Sequence, residues 1–239
     1  MELPNGVKYA VVTGASAGIG REVAREYAKL EDWRVFAIAR RGELLESLAA
    51  EFPAGKITPM VLDLSKYDNS RLVERLSEVG VNHLSVVIGN SGMLVNRPFE
   101  QISAEEWEMV YRSNVIGPAL FIRDLLPFLG QSNVSHIVNI SSMGGLTGTI
   151  KFPGLAAYSS SKGALSVLTE VLAEEYKDRN MVFNGLALGS VATEMLEKAF
   201  PGFQAGVSAA EIGRYICRFG IEGWRFYRGK VLPVSNSTP

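Results

Sequence analysis

The chain reads as an α/β protein, a doubly wound, seven-stranded parallel sheet with helices on both faces. Three observations predict this class. Apolar runs of strand length alternate with longer amphipathic segments from end to end, as a parallel sheet buried on both faces requires. A glycine-rich stretch, Thr13-Gly14-Ala15-Ser16-Ala17-Gly18-Ile19-Gly20, joins the first strand-like run to the first amphipathic one. No internal repeat, low-complexity tract or long linker divides the 239 residues, so a single domain over 1–239 is expected.

Taken in order, the expected strands are 9–13, 34–39, 57–63, 84–89, 136–140, 181–187 and 230–234. After the first, Ile19, Val23, Tyr27 and Leu30 recur at helical spacing, and Leu72, Leu76 and Val79 do so after the third. Each connection can therefore lay an apolar stripe on the sheet. Ser103 followed by Glu106, and Ser208 followed by Glu211, fit capping boxes at two further helix starts. The first of these helices is expected to run toward Leu129. Pro201, Gly202 and Gly206 interrupt any regular pattern in the segment 189–207, which directly follows a strand. That segment is either a substrate lid or an ordinary strand-to-helix connection containing a helical turn.

Composition excludes several classes. Lys and Arg total 24 against 25 Asp and Glu, and the basic residues are scattered; a nucleic-acid binder's phosphate-driven affinity has no source here. No uncharged apolar run reaches the roughly 18–20 residues that span a bilayer, so no membrane partner is expected. The opening Met1-Glu2-Leu3-Pro4-Asn5-Gly6 lacks the basic region and apolar core of a signal peptide, and the lone Cys217 has no internal disulfide partner. Both point to a cytoplasmic location. His83 and His136 lie far apart without patterned acidic or cysteine partners, so no metal is expected, and both read as polar residues flanking strands. Trp33, Trp107 and Trp224 read as packing or interface residues.

The glycine turn suggests a ligand. Between a hydrophobic strand and a helix, Gly14, Gly18 and Gly20 let the backbone turn tightly and approach a pyrophosphate, which the helix N-terminus then faces. The bland alternative is glycine needed for the turn alone. An acidic residue at the end of the second strand would select NAD, but Ala39-Arg40-Arg41 stands there. A guanidinium attracts a 2′-phosphate, so NADP(H) is the predicted coenzyme with NAD(H) second; solvated arginines at a helix start are the other reading. Asp63 either bonds the adenine amino group or caps the next turn. Asn90-Ser91-Gly92, after the fourth strand, can line the ribose or form a plain turn.

Tyr158 and Lys162 stand one helical turn apart on a single face. At about 5 Å and an effective dielectric near 20, the ammonium is worth roughly 3 kcal/mol, enough to bring the phenol from about 10 to about 8. So tuned, Tyr158 could protonate a developing alkoxide as hydride arrives, or accept the proton in reverse. Ser142, at the end of the fifth strand, would bond the substrate carbonyl oxygen. Alone, tyrosine and lysine four apart are commonly a surface pair.

With these residues in hand, the chain resembles the short-chain dehydrogenase/reductase family, whose pattern is TGxxxGxG, then NAG, then Ser with YxxxK. The resemblance spans essentially the full length and implies a Rossmann-like fold. It also implies that Asn114 is a fourth active-site residue holding a water for proton relay, where spacing alone gives a helix-interior polar residue. Through it, Lys162 would bind the nicotinamide ribose, and Thr193, in Gly189-Ser190-Val191-Ala192-Thr193, would lie near the carboxamide. The expected catalytic set is Asn114, Ser142, Tyr158 and Lys162. The expected cofactor set is Gly14, Ser16, Gly18, Ile19, Gly20, Arg40, Asp63, Leu64, Asn90, Gly92, Tyr158, Lys162, Gly189, Val191 and Thr193. Relatives form homodimers or homotetramers, so a homo-oligomer acting on a small-molecule carbonyl or alcohol is implied.

The chain departs from that pattern at Ser91 for alanine, Leu188 for proline, Ala17 where many NADP-preferring relatives are basic, a longer stretch between Ser142 and Tyr158, and the closing Ser235-Asn236-Ser237-Thr238-Pro239. The expected function is NADP(H)-dependent interconversion of a carbonyl and a secondary alcohol. A catalytically silent NADP(H)-binding redox sensor or scaffold is the alternative.

Overall fold

In the computed structural model, which describes residues 6–235, the apolar runs Lys8–Thr13 (β1), Trp33–Ala39 (β2), Ile57–Val61 (β3), Val86–Gly89 (β4), Ser135–Ser142 (β5), Met181–Leu188 (β6) and Val231–Val234 (β7) pair in one sheet. The order is β3-β2-β1-β4-β5-β6-β7 and every pairing is parallel. Residues 1–5 and 236–239, on which the leader and closing-sequence readings partly fall, lie outside the described residues.

Helices cover both faces because the side chains of β1, β2, β4, β5 and β6 are apolar on both. One core joins β1 and β2 residues such as Val12 and Val35 to Val23 and Tyr27 of α1 (Gly18–Lys29), Leu45 and Leu48 of α2 (Gly42–Ala49), and Ile216 further along the chain. On the opposite face, Val11, Ile38 and Phe183 meet Leu72 and Leu76 of α3 (Ser70–Glu78). Phe121 and Leu125 from the segment after β4 complete that side. Complete burial of a leucine or phenylalanine side chain contributes about 1.5–3 kcal/mol, so the two cores together hold the sheet between its helical layers.

Both expected capping boxes are present. Ser103 and Glu106 cap α4 (Ala104–Tyr111). The predicted run toward Leu129 does not continue as one α-helix: a π turn at Arg112–Ile116 intervenes before α5 (Gly117–Leu125), and a 3-10 turn follows at Leu126–Phe128. Pro118 has no N–H to give the carbonyl four residues back, and a Cβ on Gly117 would lie 2.6 Å from the Leu64 carbonyl oxygen. The chain then forms α6 (Ala156–Glu175), the short α7 (Glu194–Ala199) and α8 (Ala209–Glu222), the last capped by Ser208 and Glu211.

β1, β2, β5 and β6 run one to three residues longer than expected, and three strands are shorter because N–H groups or side chains at their ends are used elsewhere. β3 stops at Val61, two residues early, since the Asp63 carboxylate accepts bonds from the Ser65 N–H at 3.1 Å and hydroxyl at 2.7 Å, capping a 3-10 turn. β4 starts at Val86 rather than Leu84, whose N–H goes to the Phe128 carbonyl at 2.8 Å. β7 starts at Val231, because the Lys230 N–H is taken by the Asn184 side chain at 3.0 Å.

His136 does not flank a strand; it is buried inside β5, its ring 3.0 Å from both the Gly220 carbonyl oxygen and the Asn184 side-chain nitrogen. Burial pulls its pKa down to about 4 although the Gly220 bond opposes this. Trp33 packs on Tyr27 with ring centroids 4.8 Å apart, and Trp107 lies between Phe99 and Tyr111. The Trp224 indole N–H bonds the Ile221 carbonyl at 2.9 Å.

Candidate active site

β1 and β4 are neighbours in the sheet, yet their crossovers leave to opposite sides, and such a switch point opens a crevice at the carboxyl ends of the strands. Here it is a cavity of about 660 Å³, within the range of ligand pockets. The glycine turn forms one end. Gly14 has φ +70° and its absent Cβ would lie 2.7 Å from the Asn90 side-chain nitrogen; on Gly20 a Cβ would meet the Gly14 carbonyl oxygen at 2.4 Å. Glycine is therefore required at both positions by local packing. The Thr13 hydroxyl accepts the N–H groups of Asn90 and Ser91, each at 2.9 Å, while the Asn90 amide donates to the Thr13 carbonyl at 3.0 Å. These bonds fasten the ends of β1 and β4 to each other.

Just beyond the turn, Ala17 at the N-cap of α1 makes no side-chain cap bond. The first-turn N–H groups thus have no side-chain acceptor, and an anion fits there. Gly14, Ser16, Gly18 and Ile19 line the cavity, whereas Gly20 lies beneath them against Gly14 and Asn90. Arg40 and Arg41, Asp63 and Leu64, and Asn90 and Gly92 line the next stretch. Arg41 donates to the Ser16 hydroxyl at 3.2 Å and pairs with Glu194 at 3.3 Å.

At the other end, Ser142, Tyr158 and Lys162 line the same cavity. The Ser142 hydroxyl accepts the Gly144 N–H at 3.2 Å and adjoins the Tyr158 phenol, whose ionised form it favours. Lys162 is 4% exposed; its ammonium donates to the Ile140 carbonyl at 2.7 Å and lies 5.9 Å from the Tyr158 ring centroid. Burial lowers its pKa from 10.5 to about 8. The expected fall of Tyr158 toward 8 is corrected by the structure: desolvation raises the phenol above 10, and the neighbouring Ser142 hydroxyl only partly opposes it. A lysine that is itself desolvated and engaged with a carbonyl does not overcome the burial of the phenol in the chain alone.

Asn114, fully buried, lies behind the crevice rather than in its lining. Its side-chain oxygen accepts the Met93 N–H at 2.7 Å, and its amide donates to the Met93 carbonyl at 2.8 Å and the Ser161 hydroxyl at 2.9 Å. Ser161 in turn donates to the Tyr158 carbonyl at 2.7 Å. The π turn aims this amide across to α6 and so connects it to the backbone of Tyr158. Ser161 was not among the expected residues. Nor was the polar seam in which the Ser141 and Ser166 hydroxyls both donate to the Lys162 carbonyl at 2.9 Å and Asn139 bonds Thr169 at 2.9 Å. The signal was present as polar residues at 162, 166 and 169, one face of a helix.

The segment 189–207 contains α7, and its Gly189, Val191 and Thr193 line the cavity. Thr193 caps α7, accepting the Leu196 N–H at 3.2 Å, and packs over Gly18. The loop between Ser142 and Tyr158 borders this segment, where Phe152 meets Phe200 edge-on at 6.4 Å; Asn96, from the stretch after β4, donates to the Ala199 carbonyl at 2.7 Å.

The family described as short chain dehydrogenase matches residues 8–202. The chain belongs to that family. A curated member, a short chain dehydrogenase of Pseudocercospora fijiensis, is 32% identical over 192 residues, covering 79% of this chain and 61% of that protein; the chain thus spans about three fifths of this relative's length. Among solved structures, a short chain dehydrogenase from Shigella flexneri complexed with NADP superposes at TM-score 0.85 with 29% identity, covering 95% of this chain and 96% of that one. A 3-ketoacyl-(acyl-carrier-protein) reductase from Brucella melitensis complexed with NADH gives TM-score 0.85 at 24% identity, over 95% and 96% of the two chains, and shares the fold. Among the described residues, no helix is long and apolar enough to cross a membrane.

Proposed function

We propose that this chain is an NADP(H)-dependent oxidoreductase that interconverts a carbonyl and a secondary alcohol, with Tyr158 as the proton donor and acceptor. The observation carrying the proposal is the meeting of Ser142, Tyr158 and buried Lys162 in the same crevice as the glycine turn and the uncapped start of α1. Bound NADPH would supply the hydride to the carbonyl carbon. The pyrophosphate fits the first-turn N–H groups of α1, and Arg40 and Arg41 fit a 2′-phosphate. Asp63 with Leu64, Asn90 with Gly92, and Gly189, Val191 and Thr193 fit the rest of the coenzyme.

Ser142 orients the substrate oxygen, and the phenol of Tyr158 delivers its proton there as negative charge develops. A raised phenol pKa keeps that proton in place until an alkoxide forms. Lys162, buried beneath, steadies the phenolate that remains, and Asn114 holds the Tyr158 segment through Ser161. Met93, Met195 and the Phe152–Phe200 pair favour a substrate with an apolar body. We read the described sheet and helices as one catalytic unit. We also read the protein as cytoplasmic, a reading supported by the lone Cys217, and as a homodimer or homotetramer, supported by Met109, Val167 and Val171 exposed on α4 and α6.

The test is NADPH oxidation, followed by absorbance, with a panel of ketones, aldehydes, quinones and acyl thioesters. Turnover is expected with at least one member, and Tyr158→Phe should lower it by about 10³-fold while leaving NADPH affinity within about twofold. Turnover retained by that variant overturns the acid/base role; silence across the panel with tight NADPH binding favours a redox sensor.

A further inference from the structure

We propose that Glu194 sets coenzyme selectivity by competing with a 2′-phosphate for Arg41. The inference rests on the reading that Arg40 and Arg41 face the adenosine ribose of NADP(H).

Arg41 leaves the end of β2 and donates through Nε to the Ser16 hydroxyl at 3.2 Å, within the glycine turn. Its Nη1 reaches the Glu194 carboxylate at 3.3 Å. Glu194 is the first residue of α7 and approaches from the opposite wall of the crevice. Its neighbour Thr193 packs over Gly18, 3.2 Å from where a Cβ would stand. Lid, glycine turn and arginine therefore converge on one point, and that point lines the proposed coenzyme cavity.

The pair is weak by its setting. Its side chains are 49% and 60% exposed, where an ion pair contributes little and a fixed, doubly charged group nearby dominates. A 2′-phosphate offers Arg41 a stronger, bidentate partner. To take it, Arg41 must leave Glu194, or the carboxylate must stand beside the phosphate as a like charge. NADH, which lacks the phosphate, meets neither requirement. Glu194 thus penalises the phosphorylated coenzyme selectively and draws the two affinities together.

Fluorescence titration of NADPH and NADH into the full chain tests this. Glu194→Gln should lower the NADPH dissociation constant about fivefold and change that of NADH by less than about twofold. The gain should shrink in 1 M KCl, where the screening length falls to about 3 Å. It should also vanish in an Arg41→Ala background. An unchanged NADPH affinity in Glu194→Gln overturns the proposal, as does equal tightening of both coenzymes, which marks Glu194 as a latch on the crevice. Arg41→Ala alone separates the two levels of the argument. If it weakens NADPH while Glu194→Gln is silent, only the competition fails; if it leaves NADPH untouched, the phosphate is not read at Arg41 and the underlying coenzyme reading fails at this residue with it.

Discussion

Replacing Lys162 by methionine should abolish the proposed turnover and yet leave the fold as stable or more so at neutral pH. The side chain is 4% exposed, and its pKa falls from 10.5 to about 8 through burial. Holding the charged form in that position costs about 3 kcal/mol. Methionine removes this cost while keeping the length of the side chain; it also removes the bond to the Ile140 carbonyl at 2.7 Å, a loss of about 1–3 kcal/mol. The net effect at pH 7 is therefore a stability equal to wild type or greater by up to about 2 kcal/mol.

The pH dependence carries the sharper test. Because the folded pKa of Lys162 lies below its unfolded value, the unfolded chain binds more protons between about pH 8 and 10.5. Wild-type stability from this group must then rise with pH across that window, and the full cost is present below it. Urea denaturation of both proteins at intervals from pH 7.5 to 9.5 should show the advantage of Lys162→Met shrinking by roughly 1 kcal/mol per pH unit above 8. A difference that stays flat, or that grows with pH, would refute the claim that a desolvated ammonium lies under Tyr158.

Two other perturbations probe the cofactor end. Arg40→Asp should weaken NADPH more than NADH in a binding titration, and equal losses for both would remove Arg40 from phosphate recognition. Gly20→Ala places a Cβ 2.4 Å from the Gly14 carbonyl oxygen and 2.5 Å from the Asn90 amide nitrogen. It should destabilise the fold by about 1–3 kcal/mol in thermal melts, whereas Gly206→Ala, with nothing within 4 Å, should be close to neutral.

Much of this architecture could be read from the chain because the relevant signals are local. Strand-length apolar runs, the glycine turn, and serine followed by glutamate at 103/106 and 208/211 each depend on residues a few positions apart. Ser142, Tyr158 and Lys162, which line one cavity, were equally visible as spacing. What stayed hidden depends on partners distant in sequence. The π turn at Arg112–Ile116 needs Leu64 beside Gly117, and the late start of β4 needs the Phe128 carbonyl to take the Leu84 N–H. The error over Tyr158 has the same origin: pairwise Coulomb attraction can be written from an i, i+4 spacing, but desolvation depends on everything packed around the phenol. His136 looked like a strand-flanking residue because nothing in its neighbourhood of sequence announces Asn184 and Gly220.

The single amide of Asn114 grips Met93 on one loop and Ser161 on α6 from a widened turn between α4 and α5. Three stretches of backbone are thereby clamped by one rigid plane. On the proposed reading of Tyr158 as proton donor, substitutions in 146–155 can consequently reshape the mouth of the crevice while this clamp on the Tyr158 segment keeps its place. Such a division of labour lets one chemical apparatus be refitted to new molecules by altering its doorway alone.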